Sequence, residues 1–119
     1  MQRHLRLRRN EDFARLRQEG RAWQHPLLIL SVAPNGLAHN RYGFVTSKRL
    51  GTAVVRNRIR RLLREAVREV HAHLRPGHDI AFVARPRIAG QPFQVVRQAV
   101  SASLQRAGLY SPPAEESSS

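Results

Sequence analysis

Five arginines stand within the nine positions Arg56-Asn57-Arg58-Ile59-Arg60-Arg61-Leu62-Leu63-Arg64. A guanidinium offers a planar fork of donors to phosphate oxygens and a flat face to nucleobases, and it stays charged at any physiological pH. Arg56, Arg60 and Arg64 recur at a helical spacing at which each like-charged pair repels by roughly 0.2–0.5 kcal/mol. An external anion lying along the row would offset that repulsion. Other chemistry is poorly supplied. Protein-catalysed phosphodiester hydrolysis needs clustered carboxylates for paired metal ions, or positioned His and Lys acids and bases. The acids here are Glu11, Asp12, Glu19, Glu65, Glu69, Asp79, Glu115 and Glu116, the last two in the C-terminal tail and the rest scattered or beside arginines. His71 and His73 are two apart, so on a helix they do not face one another and make a poor metal pair. No Ser-His-Asp set or Walker-type glycine pattern is evident, and neither a catalytic residue nor a metal ligand set is expected in the chain.

The element that must carry the arginines is a helix spanning Ala53 to Leu74. At 100° per residue Val55, Ile59, Leu62, Leu63, Ala66, Val67 and Val70 form one apolar side, with Asn57, Arg60, Arg61, Arg64 and Arg68 on the other. Thr52 is the expected cap and Pro76-Gly77 the stop. A short first helix is expected over residues 10–19, with Asn10 as its cap and Phe13 and Leu16 as its apolar pair. The run 27–32, the turn signal Pro34-Asn35-Gly36 and the run Tyr42 to Ser47 read as two strands in an antiparallel pair, with residues 21–25 as an edge strand. A strand is expected over 79–84 and a last helix over 92–107, burying Val95, Val96, Ala99, Val100 and Leu104. The order αβββαβα describes an α+β two-layer sandwich, a small, mostly antiparallel four-stranded sheet with one face covered by helices. Residues 1–110 make a single domain, and the tail from Ser111 to Ser119, only Pro, Ala, Glu and Ser, is expected to be disordered.

Composition agrees with an anionic polymer as partner. The 119 residues include 21 Lys+Arg against 8 Asp+Glu, a formal net charge of +13. Lys48 is the one lysine, and residues 48–68 hold eight basic side chains against the single acid Glu65. Solvated surfaces usually mix both signs, so nucleic acid is favoured over a bland charged face. A membrane surface fits less well, because the apolar side of the arginine helix is needed for the core of so short a chain. The absence of cysteine excludes a disulfide framework, a Cys-based zinc site and a thiol nucleophile, and fits a reducing, cytoplasmic setting. Neither a secretory apolar run nor a segment of about 20 apolar residues is present to suggest a membrane span.

At the arginine helix the sequence resembles the protein subunit of bacterial ribonuclease P. Leu50, Ala53, Arg56-Asn57, Ile59, Arg60-Arg61, Leu63 and Arg64 match that family's pattern at the matching spacings. Ser47-Lys48-Arg49-Leu50-Gly51, Asn10-Glu11-Asp12-Phe13 with Gly20, and Phe82-Val83-Ala84-Arg85 also look like family segments, so the resemblance runs from Arg3 to about Tyr110.

The resemblance implies a subunit of an endoribonuclease whose large RNA performs the chemistry, removing the 5′ leader from precursor tRNA. The implied partners are that catalytic RNA and precursor tRNA, with the free protein a monomer and Mg2+ bound mainly by the RNA. Arg56, Asn57, Arg58, Arg60, Arg61, Arg64 and Arg68 take the role of facing the catalytic RNA. The resemblance places the leader in a cleft between the first helix and the sheet, at Phe13, Arg17, Lys48, Arg49, Arg85 and Arg87, which agrees with single strands being held by stacking platforms beside positive side chains. Phe13 is equally at home as a core residue of an amphipathic helix. Arg17 stands where the family often carries a second aromatic, and a guanidinium plane can also stack on a base. The resemblance further implies a left-handed crossover through the arginine helix, against the usual right-handed preference. A structural RNA-binding protein of ribosomal type is the alternative reading. A helix-turn-helix DNA regulator is a third, weakened because Tyr42 to Ser47 read as a strand where a partner helix is needed.

Overall fold

Residues that alternate in burial build the sheet, and their alternation assigns its two faces. A computed structural model describes residues 2–7 and 9–112; most of the tail expected to be disordered, 113–119, lies outside the described residues. The strands are β1 (Arg21–Gln24), β2 (Leu28–Pro34), β3 (Arg41–Val45) and β4 (His78–Ala84), and the helices α1 (Asn10–Glu19), α2 (Ala53–Val70) and α3 (Phe93–Arg106). The sheet is mixed, in the order β1-β2-β4-β3. β2 is antiparallel to both β1 and β4, while β3 runs parallel to β4, so α2 lies in the connection between two parallel neighbours.

The direct pairing expected between β2 and β3 is therefore corrected, because β4 lies between them. His78-Asp79-Ile80-Ala81-Phe82-Val83-Ala84 is buried along nearly its whole length. A strand apolar on both faces belongs in the middle of a sheet, with a hydrogen-bonded partner on each side. The exposed Arg21-Ala22-Trp23-Gln24 takes one edge. The other edge is joined by the N-terminal segment, where Arg6 bridges to Tyr42 and the Leu7 N–H donates to the Tyr42 carbonyl at 2.8 Å.

On one face Leu28, Leu30, Val32, Tyr42, Ile80, Phe82 and Ala84 meet Ile59, Leu63, Ala66 and Val67 of α2 and Val96, Ala99, Val100 and Leu104 of α3. This is the helix-covered face that the sequence pattern implies. α1 departs from that arrangement by crossing the opposite face, where Leu16 and Leu7 pack with Ala33 and Ala81 in a smaller core joined by Phe13. Small residues on that face let the helix approach closely. A Cβ added to Gly43 would stand 2.7 Å from the Phe13 ring.

Several local details depart from the sequence reading. Asn10 is the first helical residue of α1 rather than its cap, which is Arg9. Thr52 does cap α2, accepting from the Val55 N–H at 3.4 Å. α2 ends at Val70, and a 3-10 turn covers His71–His73 where the helix was expected to continue to Leu74. On α3, Val95 is exposed and Ser103 is buried in its stead.

Candidate nucleic-acid interface

The arginines of α2 divide into two groups that sequence periodicity had merged. Arg58 and Arg61 stand exposed, as does Arg68, which is 3.7 Å from Glu65. Arg56, Arg60 and Arg64 instead run along the margin of the apolar stripe, beside β3, and are half-buried. Arg60 donates to the Thr46 hydroxyl and to the side-chain carbonyl of Asn57. The Arg64 guanidinium lies over the Phe44 ring, 6.0 Å from its centroid. Burial, and then the charges of Arg6 and Arg60, push Arg64 below the ordinary arginine value. The Arg56 Nε is buried with no hydrogen-bond partner among the described residues. Arg60 and Arg64 therefore do not face away from the core, as expected; they hold part of the array in place while the exposed members present charge outward.

The second candidate surface is the sheet face crossed by α1. Strand register arranges this face in rows: Arg41, Asp79 and Ala33; then Gly43, Ala81 and Ser31; then Val45, Val83 and Ile29. α1 covers the first row and part of the second. A ten-residue helix is only about 15 Å long. The third row is left as a half-buried to exposed apolar floor beside Phe13.

A buried ionic hub sets the position of α1. Asp79 is 0% exposed and accepts from Arg41 through Nε and Nη2, both at 2.8 Å, from Asn35 at 3.0 Å, and from Arg15 of α1. Burial alone would raise this carboxyl, but hydrogen bonds from Arg41 and Asn35 and the charges of Arg41 and Arg15 outweigh it and hold the carboxyl below its usual value. Arg41 also reaches Asp12 of α1 at 3.4 Å. With Arg15 anchored at the hub, the Phe13 ring lies over Gly43, and Arg17, one helical turn further on, is exposed.

The remaining basic positions lie toward the same end of the sheet. β3 and β4 are parallel, so the 3-10 turn carrying the exposed Lys48 and Arg49 and the turn carrying Arg85 and the exposed Arg87 leave from neighbouring strand ends. Arg85 is half-buried, 3.5 Å from both the Gln24 side chain and the His25 carbonyl. Gly51, which ends the first of these turns, has φ +133°, and a Cβ there would press on Val55 at 3.3 Å. The sequence reading missed the floor residues Ile29, Val45 and Val83 and the hub at Asp79. The signal for the floor was the small-residue row Gly43, Ala81 and Ser31 on one sheet face, which marks where a helix can lie and, by difference, where it does not.

Among the described residues no group of three or more His, Asp or Glu side chains is placed to hold a metal ion, and no helix is long and apolar enough to cross a membrane.

Residues 1–108 match the family model described as Ribonuclease P. The chain belongs to the ribonuclease P protein component family. The ribonuclease P protein component of Herpetosiphon aurantiacus is 49% identical over 110 residues, covering 92% of this chain and 89% of the relative. That of Chloroflexus aurantiacus is 46% identical over 117 residues, covering 98% and 87%. Among solved structures, a Staphylococcus aureus RNase P protein, a mutant with defective mRNA degradation activity, superposes with a TM-score of 0.85 at 27% identity, covering 90% of this chain and 91% of that one. The Thermotoga maritima RNase P protein gives 0.79 at 28% identity, covering 85% and 96%. Membership makes this ribonuclease P protein an RNA-binding component of a tRNA-processing ribonucleoprotein, and the α+β fold with its four-stranded mixed sheet is that of the solved RNase P proteins.

Proposed function

We propose that the protein binds the catalytic RNA of ribonuclease P through α2 and holds the 5′ leader of precursor tRNA on the opposite sheet face, assisting endonucleolytic removal of the leader. The observation that carries this reading is the pairing of a one-signed arginine array on one side of the sheet with an apolar floor, rimmed by cations, on the other. Arg58, Arg61 and Arg68 supply phosphate contacts, with Arg56, Asn57, Arg60 and Arg64 completing the surface. Phe13 offers a ring for stacking beside the floor of Val45, Val83 and Ile29. Arg17, Lys48, Arg49, Arg85 and Arg87 neutralise the leader's phosphates. Stacking on such a platform is worth about 1–3 kcal/mol per base.

In this reading the cleaving centre and its Mg2+ belong to the RNA. The protein's residues bind and orient: one face fixes the protein to the ribozyme, and the other adds contact to the substrate outside its mature body. The setting is the cytoplasm, and the free protein is a monomer. The test is reconstitution. At low magnesium, adding the purified protein to the catalytic RNA should restore cleavage of precursor tRNA, whereas the protein without the RNA should cleave nothing. No gain in the combined reaction refutes the reading.

A further inference from the structure

A cavity of about 1050 Å3 opens between the N-terminal segment and α2. That is at the upper end of the roughly 300–1,000 Å3 typical of small-molecule sites. Its chemistry is divided. Leu5 and Leu62, both half-buried, supply apolar wall, while Arg61, Arg64 and Arg68 line it from successive turns of α2. The one acid in the lining is Glu65, which sits 3.7 Å from Arg68. Three imidazoles complete it. His4 meets His39 edge to face with centroids 5.2 Å apart, and His71 stands behind them.

A hydrogen bond to Tyr42 holds the His71 ring in place. The Tyr42 hydroxyl accepts from the Asn40 amide at 3.4 Å and lies 2.7 Å from His71 Nδ1. Burial pushes the phenol up to about 12, so it keeps its proton, and the short contact pins the imidazole beside the cavity.

We propose that this cavity receives one unpaired nucleotide of the RNA bound along α2, with the base between the leucines and the imidazole faces and its phosphate on Arg61 and Arg64. The inference rests on the reading that α2 carries an RNA, and it adds a recognition site distinct from backbone neutralisation. Arginine alone explains attraction to any phosphate. The apolar walls and ring faces are surplus to that need, and they suit an unstacked base, the form in which single-stranded RNA positions are read. The arginines that line the cavity belong to the array, so a base turned in from the bound RNA reaches it without leaving α2.

The full chain, titrated with AMP and separately with inorganic phosphate, tests this through the ring C–H NMR signals of the histidines. AMP should move the His39 and His71 signals saturably, and phosphate at the same concentration should move them far less. A short single-stranded oligoribonucleotide should bind at least about tenfold more tightly than AMP, because its flanking phosphates lie on α2. His39→Ala should weaken binding of AMP and of the oligoribonucleotide about fivefold while leaving affinity for an RNA duplex unchanged. Leu5→Trp, which fills the space without altering charge, should do the same if its unfolding transition is preserved. Equal responses to AMP and phosphate, AMP binding as tightly as the oligoribonucleotide, or an unaffected His39→Ala each overturns the proposal. Catalytic-RNA binding by the unmodified protein, measured in the same buffer, separates that failure from failure of the underlying reading.

Discussion

Arg41 meets Asp79 side-on, its Nε 2.8 Å from one carboxylate oxygen and its Nη2 2.8 Å from the other. This two-pronged contact joins neighbouring parallel strands beneath α1, and Arg15 closes it from the helix above. Removing Asp79 leaves the half-buried guanidiniums of Arg41 and Arg15 without their shared partner, at a cost of up to about 3 kcal/mol, the lower end of the range for fully buried pairs. Asp79→Ala should therefore lower the thermal midpoint sharply, as followed by circular dichroism. A loss no larger than that of an exposed acid such as Glu19→Ala would remove the hub from its organising role.

The same carboxylate gives a pH dependence of defined sign. Its folded value lies below its unfolded one, so on acidification the unfolded chain takes up the proton first. The stabilisation is complete above the unfolded value of about 3.9 and is lost as pH falls through the folded value. Thermal unfolding followed downward from about pH 6 should show an acid loss that is shallower in Asp79→Asn.

Gly43 and Phe13 link sheet packing to the proposed leader contact. A methyl at Gly43 would force the Phe13 ring to shift, since 2.7 Å is closer than any Cβ contact tolerates. Gly43→Ala should cost about 1–3 kcal/mol of stability. It should also reduce the preference for leader-bearing over mature tRNA, with little change in catalytic-RNA affinity. Phe13→Ala should reduce the same preference. Equal losses toward leader-bearing and mature tRNA would make Phe13 a core residue only.

Reversing the exposed charges separates binding from folding. Arg58→Glu with Arg61→Glu should leave the unfolding transition in place and weaken catalytic-RNA binding. Arg60→Glu and Arg64→Glu should lower both, because Arg60 is tied to Thr46 and Arg64 lies over Phe44. Identical melting of the two double variants would show that the contacts with Thr46 and Phe44 contribute nothing to stability.

Binding of the unmodified protein to RNA should fall steeply with salt, with a log–log slope of about 0.7–0.9 per phosphate neutralised. Each exposed arginine lost from α2 should make that slope shallower by about one unit. A slope unchanged by Arg58→Ala would place that side chain outside the contact.

Much of this was legible in the sequence. The apolar stripe from Val55 to Val70 announces α2, and the runs around Leu30, Phe44 and Phe82 announce strands, because burial imposes a period on residue type. Strand order was not legible. Periodicity tells which side of a strand is buried but not which strand lies alongside, so β4 was not placed between β2 and β3. The two-sided helix projection likewise set Arg60 and Arg64 with the outward charges. Their anchors, Phe44 on β3 and Thr46 just beyond its end, belong to a segment that a helical wheel does not contain. Asp79 looked like an ordinary acid at the start of a strand, since its partners Arg15, Asn35 and Arg41 come from distant parts of the chain. The positions assigned to the leader converge on one end of the sheet, but the floor between them arises because α1 is too short to cover the whole face.

That shortness, together with the placement of α1 and α2 on opposite faces, gives the molecule the character of a shim. In the proposed reading, the two RNAs held on these faces do not compete for the same ground, and the gap between them is set by a layer of strands with a helix packed on it, on the order of 10 Å per layer. On that reading, mutations that thicken or thin the middle of the sheet, at Phe82 or Ala81, would change the spacing of the two RNAs without touching either.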